Sequence, residues 1–473
     1  MFVDREAELA QLESLYASGR AELFILYGRR RVGKTELLRA FCAGKPHLFF
    51  IATLSSDHDQ LAAFSQQVYR LTHSSAPEGF TFPSWETALR ALAETSERVI
   101  VLMDEFTYLI SGNKAIPSIL QKVWDEVLRT SQIMLILCGS YIGMMETEVM
   151  GYQAPLYGRR TGSALLEPLA VSAVTAFFPA YPPSARMEAW AVLGGMPYYL
   201  SAFSEQVDIF TNIRHQILER QGLLFAEPRL LLLEELREPR NYFSILRAIA
   251  FGRTRLNEIA AGAGVGNSPV TARYLNILQQ MHLVQRRVPA TEMQPEKSKK
   301  GLYHIADGFL RFWFRYVHPY QNSLDLDMAE GILEQRVKPT FDQFVSYAFE
   351  EAARAYLARQ ARRGQLSFLP ERIGSWWDAQ GEMDVVAISN SERSLWVGEC
   401  KWSNHPVGVD ILEALQRKAS LLWGDSSWKI IYGLFSKSGF TPALLKRAET
   451  EGIQLVHVDQ FFEEGTEPEP VGQ

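Results

Sequence analysis

Residues 28–35 read GRRRVGKT, a glycine, four intervening residues and then Gly-Lys-Thr. Glycines at that spacing let successive backbone N–H groups converge on one point, an arrangement that suits a polyphosphate. Gly28 and Gly33 supply the turns, Lys34 brings an ammonium to the β and γ oxygens, and Thr35 brings a hydroxyl to Mg²⁺. Arg29, Arg30, Arg31 and Val32, together with Glu36 just after the threonine, are the remaining candidate contacts of this cradle. Asp104 and Glu105 close an apolar run downstream, where one acid can hold Mg²⁺ and its neighbour can orient or deprotonate an attacking water. Ser140 follows another apolar run and either senses a γ-phosphate or caps a helix. Arg159 and Arg160, in LYGRRT, either neutralise transition-state charge, in the same chain or across a subunit boundary, or form a plain surface pair. The ligand this set calls for is ATP or ADP with Mg²⁺.

A second set lies toward the other end. Asp384 opens MDVVAI, while Glu399 and Lys401 stand two apart in WVGECKW, so on a strand they share a face with Cys400 opposite. Glu350, in YAFEEA, lies on the helical stretch before them. Carboxylates are hard ligands for Mg²⁺ or Mn²⁺, and such a metal acidifies its water and neutralises a scissile phosphate. Lys401 would orient that water or stabilise the charge building on phosphate oxygens. Glu-x-Lys alone is a common tripeptide. Asp-x14-Glu-x-Lys across adjacent strands resembles the PD-(D/E)XK nuclease core, with Met383 where that pattern has proline. The resemblance implies a metal-dependent deoxyribonuclease with Asp384, Glu399 and Lys401 catalytic and Glu350 at the metal. A degenerate domain that only binds DNA or protein fits the same residues.

The elements that must position these groups alternate. LFILYG (23–28), RVIVLMDEF (98–106) and IMLILCGS (133–140) are short apolar runs of the kind that form strands buried on both faces of a parallel sheet, with helical stretches at 58–71, 84–96 and 116–130 between them. This predicts an α/β multidomain chain whose first part, 1–165, is a doubly wound parallel sheet carrying the phosphate cradle. Residues 166–236 read as a helical lid. Residues 237–318 read as a winged helix-turn-helix: three helices, the third opening with Ser268 as cap and Pro269 in its first turn, then two strands joined by a lysine-bearing loop. Residues 319–460 read as a helix (341–360), strands near SFLPERI, EMDVVAIS, SLWVGECKW, WKIIYGLFS and IQLVHV, and two further helices, an α/β domain of restriction-endonuclease-like order. Residues 461–473 read as a disordered acidic tail.

Bulk composition sets the outer bounds. The 473 residues suggest about three domains, and 47% hydrophobic with 22% charged residues is an ordinary globular balance. Net charge is −6, yet residues 240–303 hold ten Lys or Arg against three acids, +7, leaving −13 for the rest. A basic helix-turn-helix in an acidic chain is the footprint of phosphate-backbone binding, with Thr271, Arg273, Asn276 and Gln280 facing a groove and Lys297, Lys299 and Lys300 on the wing. The competing reading is a packing module without DNA contact. Cys42, Cys138 and Cys400 are scattered and the histidines form no zinc pattern, which favours a reducing, cytoplasmic setting. No basic, apolar leader and no apolar run of spanning length is present, so no membrane partner is expected.

FVDREAEL, the cradle, LMDEF, CGS and GGMPYYL (194–200) together resemble the STAND branch of AAA+-related ATPases, and more narrowly the archaeal and bacterial ATPases that carry a winged helix and a C-terminal nuclease-like domain. The resemblance covers essentially the whole chain. It implies that Arg5 and Pro197 pack near the adenine nucleotide, and that the chain is a nucleotide-driven switch, of a class whose partners are often unknown. A homo-oligomer or a protein partner is compatible with it. A phosphotransfer enzyme for small molecules is disfavoured, because nothing after the cradle offers an acceptor site.

Overall fold

A computed structural model describes residues 3–463 apart from 74, 96, 237, 380 and 424–426. The chain divides into two compact units, one of residues 1–168 with 196–198 and 280–282, the other of 169–195, 199–279 and 283 onward.

The first unit is a five-stranded, all-parallel sheet flanked by helices. Its elements are α1 (Glu6–Ala17), β1 (Glu22–Tyr27), α2 (Lys34–Cys42), β2 (His47–Ile51), α3 (Asp57–Thr72), α4 (Trp85–Ala91), β3 (Ile100–Asp104), α5 (Phe106–Gly112), α6 (Ile116–Glu126), β4 (Met134–Gly139) and β5 (Gly162–Leu165). The strands lie in the order β2-β3-β4-β1-β5. Strands β3 and β4 are buried along their whole length, as a central strand covered by helices on both faces must be. The parallel register sets Tyr27 beside Gly139 and Met103 beside Leu137, so the cradle, Asp104 and Ser140 all emerge from the same end of the sheet.

Two strands of this sheet escape the sequence reading. β2 (HLFFI) alternates exposed and buried residues at the sheet edge, and β5 is four half-buried residues. Neither has the continuous apolar run that marks the central three. β5 pairs with β1 in parallel with Phe24 opposite Gly162, where a Cβ would come within 2.9 Å of the Phe24 ring.

The second unit begins with helices, among them α7 (Pro183–Leu193) and α8 (Glu227–Glu235). Three helices follow, α9 (Pro239–Ala250), α10 (Leu256–Ala263) and α11 (Ser268–Gln280), and then an antiparallel ribbon of β6 (Val284–Arg287) and β7 (Leu302–Ile305). The start of α11 differs from expectation by one residue. Asn267 Oδ1 accepts the Val270 N–H at 3.2 Å, so Asn267 caps the helix and Ser268 lies in its first turn.

Beyond α12 (Gly308–Tyr316) comes the long helix α13 (Phe341–Arg362), which buries Phe344, Val345, Ala348, Phe349, Ala352, Ala353 and Leu357 along one helical stripe. It packs on a second five-stranded sheet, ordered β12-β11-β10-β9-β8. β8 (Arg372–Trp377), β9 (Glu382–Ser389) and β10 (Ser394–Lys401) form an antiparallel meander, whereas β10, β11 (Lys429–Ser436) and β12 (Gln454–His457) run parallel. Helices α14 (Val409–Trp423) and α15 (Pro442–Glu451) make the crossovers. The first strand starts at Arg372 rather than at Ser367, because Pro370 cannot donate to a ladder that begins with Glu371 N–H bonding Ile388 O at 2.9 Å. Trp396 lies across the facing glycines of β10 and β11, so a Cβ at Gly433 would sit 2.1 Å from its ring.

The expected disordered tail does not begin at 461. Phe461 and Phe462 are buried, and residues 464–473 lie outside the described residues. Among the described residues no helix is long and apolar enough to cross a membrane.

Candidate functional site

The cradle folds as its glycines require. Gly33 has φ +98° and caps α2, a conformation L side chains rarely adopt, and a Cβ at Gly28 would lie 2.5 Å from the Leu166 carbonyl oxygen. Lys34 is buried, its Nζ donating to the carbonyls of Gly28 at 2.8 Å and Arg29 at 3.0 Å. Thr35 Oγ1 donates to Asp104 Oδ2 at 2.9 Å, and Asp104 Oδ1 accepts the Glu105 N–H at 2.9 Å. Glu105 is itself left-handed, with φ +52°. That backbone costs a non-glycine residue on the order of 1–3 kcal/mol and is found where the surroundings fix it. Here Ser140 Oγ donates to Glu105 Oε2 at 2.7 Å, and Ser140 does not cap the following helix. Thr35, Asp104, Glu105 and Ser140 are thus one connected chain along the sheet end.

The remaining candidates divide. Arg5 Nη2 donates to Val32 O at 3.2 Å and Glu167 O at 2.8 Å, so it clamps the cradle's backbone from behind; burial lowers its pKa against the pull of Glu8. Pro197 stands 3.9 Å from where a Gly33 Cβ would be, and the next residue, Tyr198, takes the Arg31 guanidinium over its ring at 4.1 Å. Arg30 donates to Tyr108 Oη, Arg29 is buried, and Val32 is fully buried. Glu36 is exposed and pairs with Arg39 at 3.4 Å. Arg159 forks onto Asp125 through Nε and Nη2 at 2.8–3.0 Å and also bonds the carbonyls of Pro155 and Tyr157. Arg160 is exposed and lies within electrostatic reach of Tyr27, one residue before the cradle.

In the second unit β9 and β10 bring the carboxylates together. Asp384 Oδ2 accepts the Cys400 N–H at 2.8 Å, fixing the aspartate against the strand that carries Glu399 and Lys401. Lys401 Nζ bonds Glu399 Oε1 at 2.9 Å, and Lys418 from α14 approaches Glu399 Oε2 at 3.3 Å. Glu350 on α13 pairs with Arg354 at 3.7 Å, and Arg354 Nη1 donates to the Asp384 carbonyl at 2.8 Å. Burial and then Glu399 push the Asp384 carboxyl up to about 6; burial and then Asp384 push Glu350 up to about 8. Burial lowers the Lys401 pKa, but Glu399 outweighs it and the net direction is up. Tyr347 Oη and Arg354 Nη2 are buried beside these acids with no hydrogen-bond partner among the described residues. Among those residues no three His, Cys, Asp or Glu side chains converge as a ready-made metal site.

The basic ribbon is partly committed to the fold. Glu351 takes Arg287 from β6 and, at 3.1 Å, Arg311 from α12. Burial would raise the Glu351 pKa, but these guanidinium groups hold it down at about 2. Burial and Arg287 push His304, on β7, down to about 3. Arg286 donates to the Pro295 and Ser298 carbonyls, and Lys300 pairs with Glu292 at 3.0 Å. Arg273, Asn276 and Gln280 are exposed on α11 as expected, but Thr271 is fully buried and cannot face a groove.

Residues 2–203 match the family model described as an ATPase domain predominantly from Archaea, and residues 313–418 match one for archaeal and bacterial proteins of unknown function. An uncharacterised protein of Methanocaldococcus jannaschii is 32% identical over 405 residues, 85% of this chain and 88% of its own. The chain is a member of this P-loop ATPase family. Among solved structures, a Walker-type ATPase of Pyrococcus abyssi aligns with TM-score 0.48 at 24% identity, over 66% of this chain and 96% of its own. The Aeropyrum pernix ORC2 protein aligns with TM-score 0.39 at 14% identity, over 71% of this chain and 95% of its own.

The ATPase match takes in the cradle, Asp104, Glu105, Ser140 and Pro197, and the second match takes in all the C-terminal carboxylates with Lys401 and Lys418. Sequence reasoning missed Lys418, Arg354 and Tyr198. Lys418 reaches Glu399 only because a crossover helix folds back over β10, a pairing no local spacing encodes. Tyr198 adjoins Pro197 in a motif already singled out, so its aromatic character was the available signal.

Proposed function

We propose that this ATPase is a nucleotide-driven switch whose C-terminal domain cleaves nucleic acid with a divalent metal. The observation that carries the first half is the hydrogen-bonded chain Thr35–Asp104–Glu105–Ser140. It fits Mg²⁺-nucleotide chemistry, since a hydroxyl and a carboxylate 2.9 Å apart at a helix N-terminus are hard donors beside a phosphate cradle. Mg²⁺ bound there would neutralise charge on the phosphoryl oxygens. Lys34 would turn its ammonium from the loop carbonyls to the β and γ oxygens, Thr35 and Asp104 would hold the metal, and Glu105 would orient the attacking water. Ser140 fixes Glu105 in its left-handed setting. Arg160, exposed while Arg159 is spent on Asp125, is the residue available to meet the developing charge.

For the second half, three helices and a ribbon read as a winged helix, and the α13-meander-α14-β11 order reads as a PD-(D/E)XK fold. Asp384, Glu350 and Glu399 supply the oxygen ligands that Mg²⁺ or Mn²⁺ takes, and a bound metal would supply an acidified water. Lys401 is anchored by Glu399 on the same strand face and would position that water. A second reading has one observation in its favour. Both Glu399 oxygens are met by lysines, so the domain can equally serve as a docking surface for DNA or protein under ATPase control.

Incubation of the full-length protein with plasmid, linear and single-stranded DNA in Mn²⁺ separates the two. Cleavage by the parent chain and its loss in Asp384→Ala support the nuclease; identical behaviour of the two on every substrate overturns it and leaves the docking reading.

A further inference from the structure

The C-terminal carboxylates stand at one end of a groove whose other end is basic. A cavity of about 660 Å³ is lined by Glu350, Asp384, Arg354 and Trp377. It meets a second cavity, of about 520 Å³, at Arg255, Leu302 and the Trp377–Ala379 segment. The second is walled by Arg255, Lys299 and Lys300 with Asp378; Lys300 also meets Glu292 at 3.0 Å and Arg255 meets Glu258 at 4.0 Å, pairs that an incoming phosphate has to compete with. Lys299 and Lys300 come from the ribbon loop, Arg255 from the start of α10, and Trp377 from the end of β8.

Cleavage as derived above uses none of Arg255, Lys299, Lys300 or Trp377, yet their placement is specific. The Trp377 indole Nε1 donates to the Lys300 carbonyl at 3.3 Å, which fixes the ring where the two cavities meet, and the ring stays half-exposed. Its neighbour Trp376 is buried and packs against Trp423, so the strand end that carries Trp377 is anchored. A fixed, half-exposed indole flanked by three cations is what a stacked base with phosphates on either side requires. The charge also has a direction. Cations dominate at the ribbon end, and acids dominate near Asp384, where Glu350 and Glu382 join it. A polyanion is drawn to the first end and passes the second only with a divalent cation in place. The indole selects the form of the ligand: a base can stack on the Trp377 ring only when it is not already paired and stacked inside a duplex.

We propose that this groove binds a single nucleic-acid strand, with a base stacked on Trp377 and its phosphates on Arg255, Lys299 and Lys300, and leads it to the carboxylates. The strand's fate at Asp384 rests on the cleavage reading; its binding does not.

Fluorescence anisotropy of the full-length protein in EDTA tests binding apart from cleavage. The probes are labelled 15-nucleotide DNA and RNA strands and a DNA hairpin whose stem has the same sequence. A single strand is expected to bind at least tenfold more tightly than the hairpin. Trp377→Ala weakens that binding about tenfold, the factor one stacked base supplies, and Trp377→Phe restores most of it. Lys299→Ala with Lys300→Ala weakens binding and flattens its dependence on salt. A parent-like cooperative unfolding transition and near-UV circular dichroism in each variant show that the second unit is folded. Hairpin binding as tight as strand binding, or Trp377→Ala binding like the parent, overturns the proposal. Strand binding as expected with no cut substrate in Mn²⁺ defeats the cleavage reading and leaves the groove standing.

Discussion

Glu105 shows how the nucleotide site is built from single residues. Its identity and place beside Asp104 were legible, because an acid pair ending an apolar strand is a contiguous pattern. Its left-handed backbone and its bond to Ser140 were not, since Ser140 arrives from a strand 35 positions away in the chain. The same limit separates Arg159 from Arg160. They are equal in sequence, and only the position of Asp125 on α6 commits the first to a fork and leaves the second exposed. A different, half-buried acid yields a pH prediction. Glu188 on α7 sits 3.9 Å from Lys437, yet burial outweighs that ammonium, and Asp342 adds to the upward push, to about 7. The folded chain therefore prefers Glu188 neutral while the unfolded chain ionises it near its ordinary value. Stability from this group is full below that value and is lost as pH rises through about 7. Glu188→Gln should be more stable than the parent by about 2–3 kcal/mol at pH 8.5 and within about 1 kcal/mol at pH 5 in urea titrations. Equal differences at both pH values would show that Glu188 is ionised throughout.

At the scale of elements, hydrophobic runs decided what could be read. The three central strands of the first sheet and all five of the second were foreseen, with β8 displaced by Pro370. The edge strands β2 and β5 were missed because one face of each is only partly covered. The ribbon was foreseen as a basic surface, and here the outcome is mixed. Arg287 is turned inward to Glu351, so part of the +7 charge holds elements together and is not presented to phosphate. Glu351 joins β6, α12 and α13 through two guanidinium groups in a buried setting. Removing one partner of such a set leaves the others uncompensated, at a cost of about 3–5 kcal/mol. Glu351→Ala should therefore lose that much in chemical denaturation, and Arg287→Ala should reduce stability without changing the salt dependence of DNA binding. A neutral result for Glu351→Ala would mean that the network is not structural.

The whole molecule is two compact units sharing one chain. Met196–Tyr198 belongs with the cradle, although α7 before it and Tyr199 after it belong to the other unit. Pro197 and Tyr198, beside Gly33 and Arg31, are therefore joined covalently to the unit that carries the C-terminal carboxylates. The proposed switch requires that the first unit turn over ATP with Lys34 and Glu105 in the roles proposed for them. The most direct measurement is phosphate release together with equilibrium binding of a fluorescent ATP analogue in Mg²⁺ for the parent, Lys34→Ala and Glu105→Gln chains. Turnover by the parent, no binding by Lys34→Ala, and full binding with hydrolysis slowed at least a hundredfold in Glu105→Gln are expected. Parent-like turnover in either variant would contradict it.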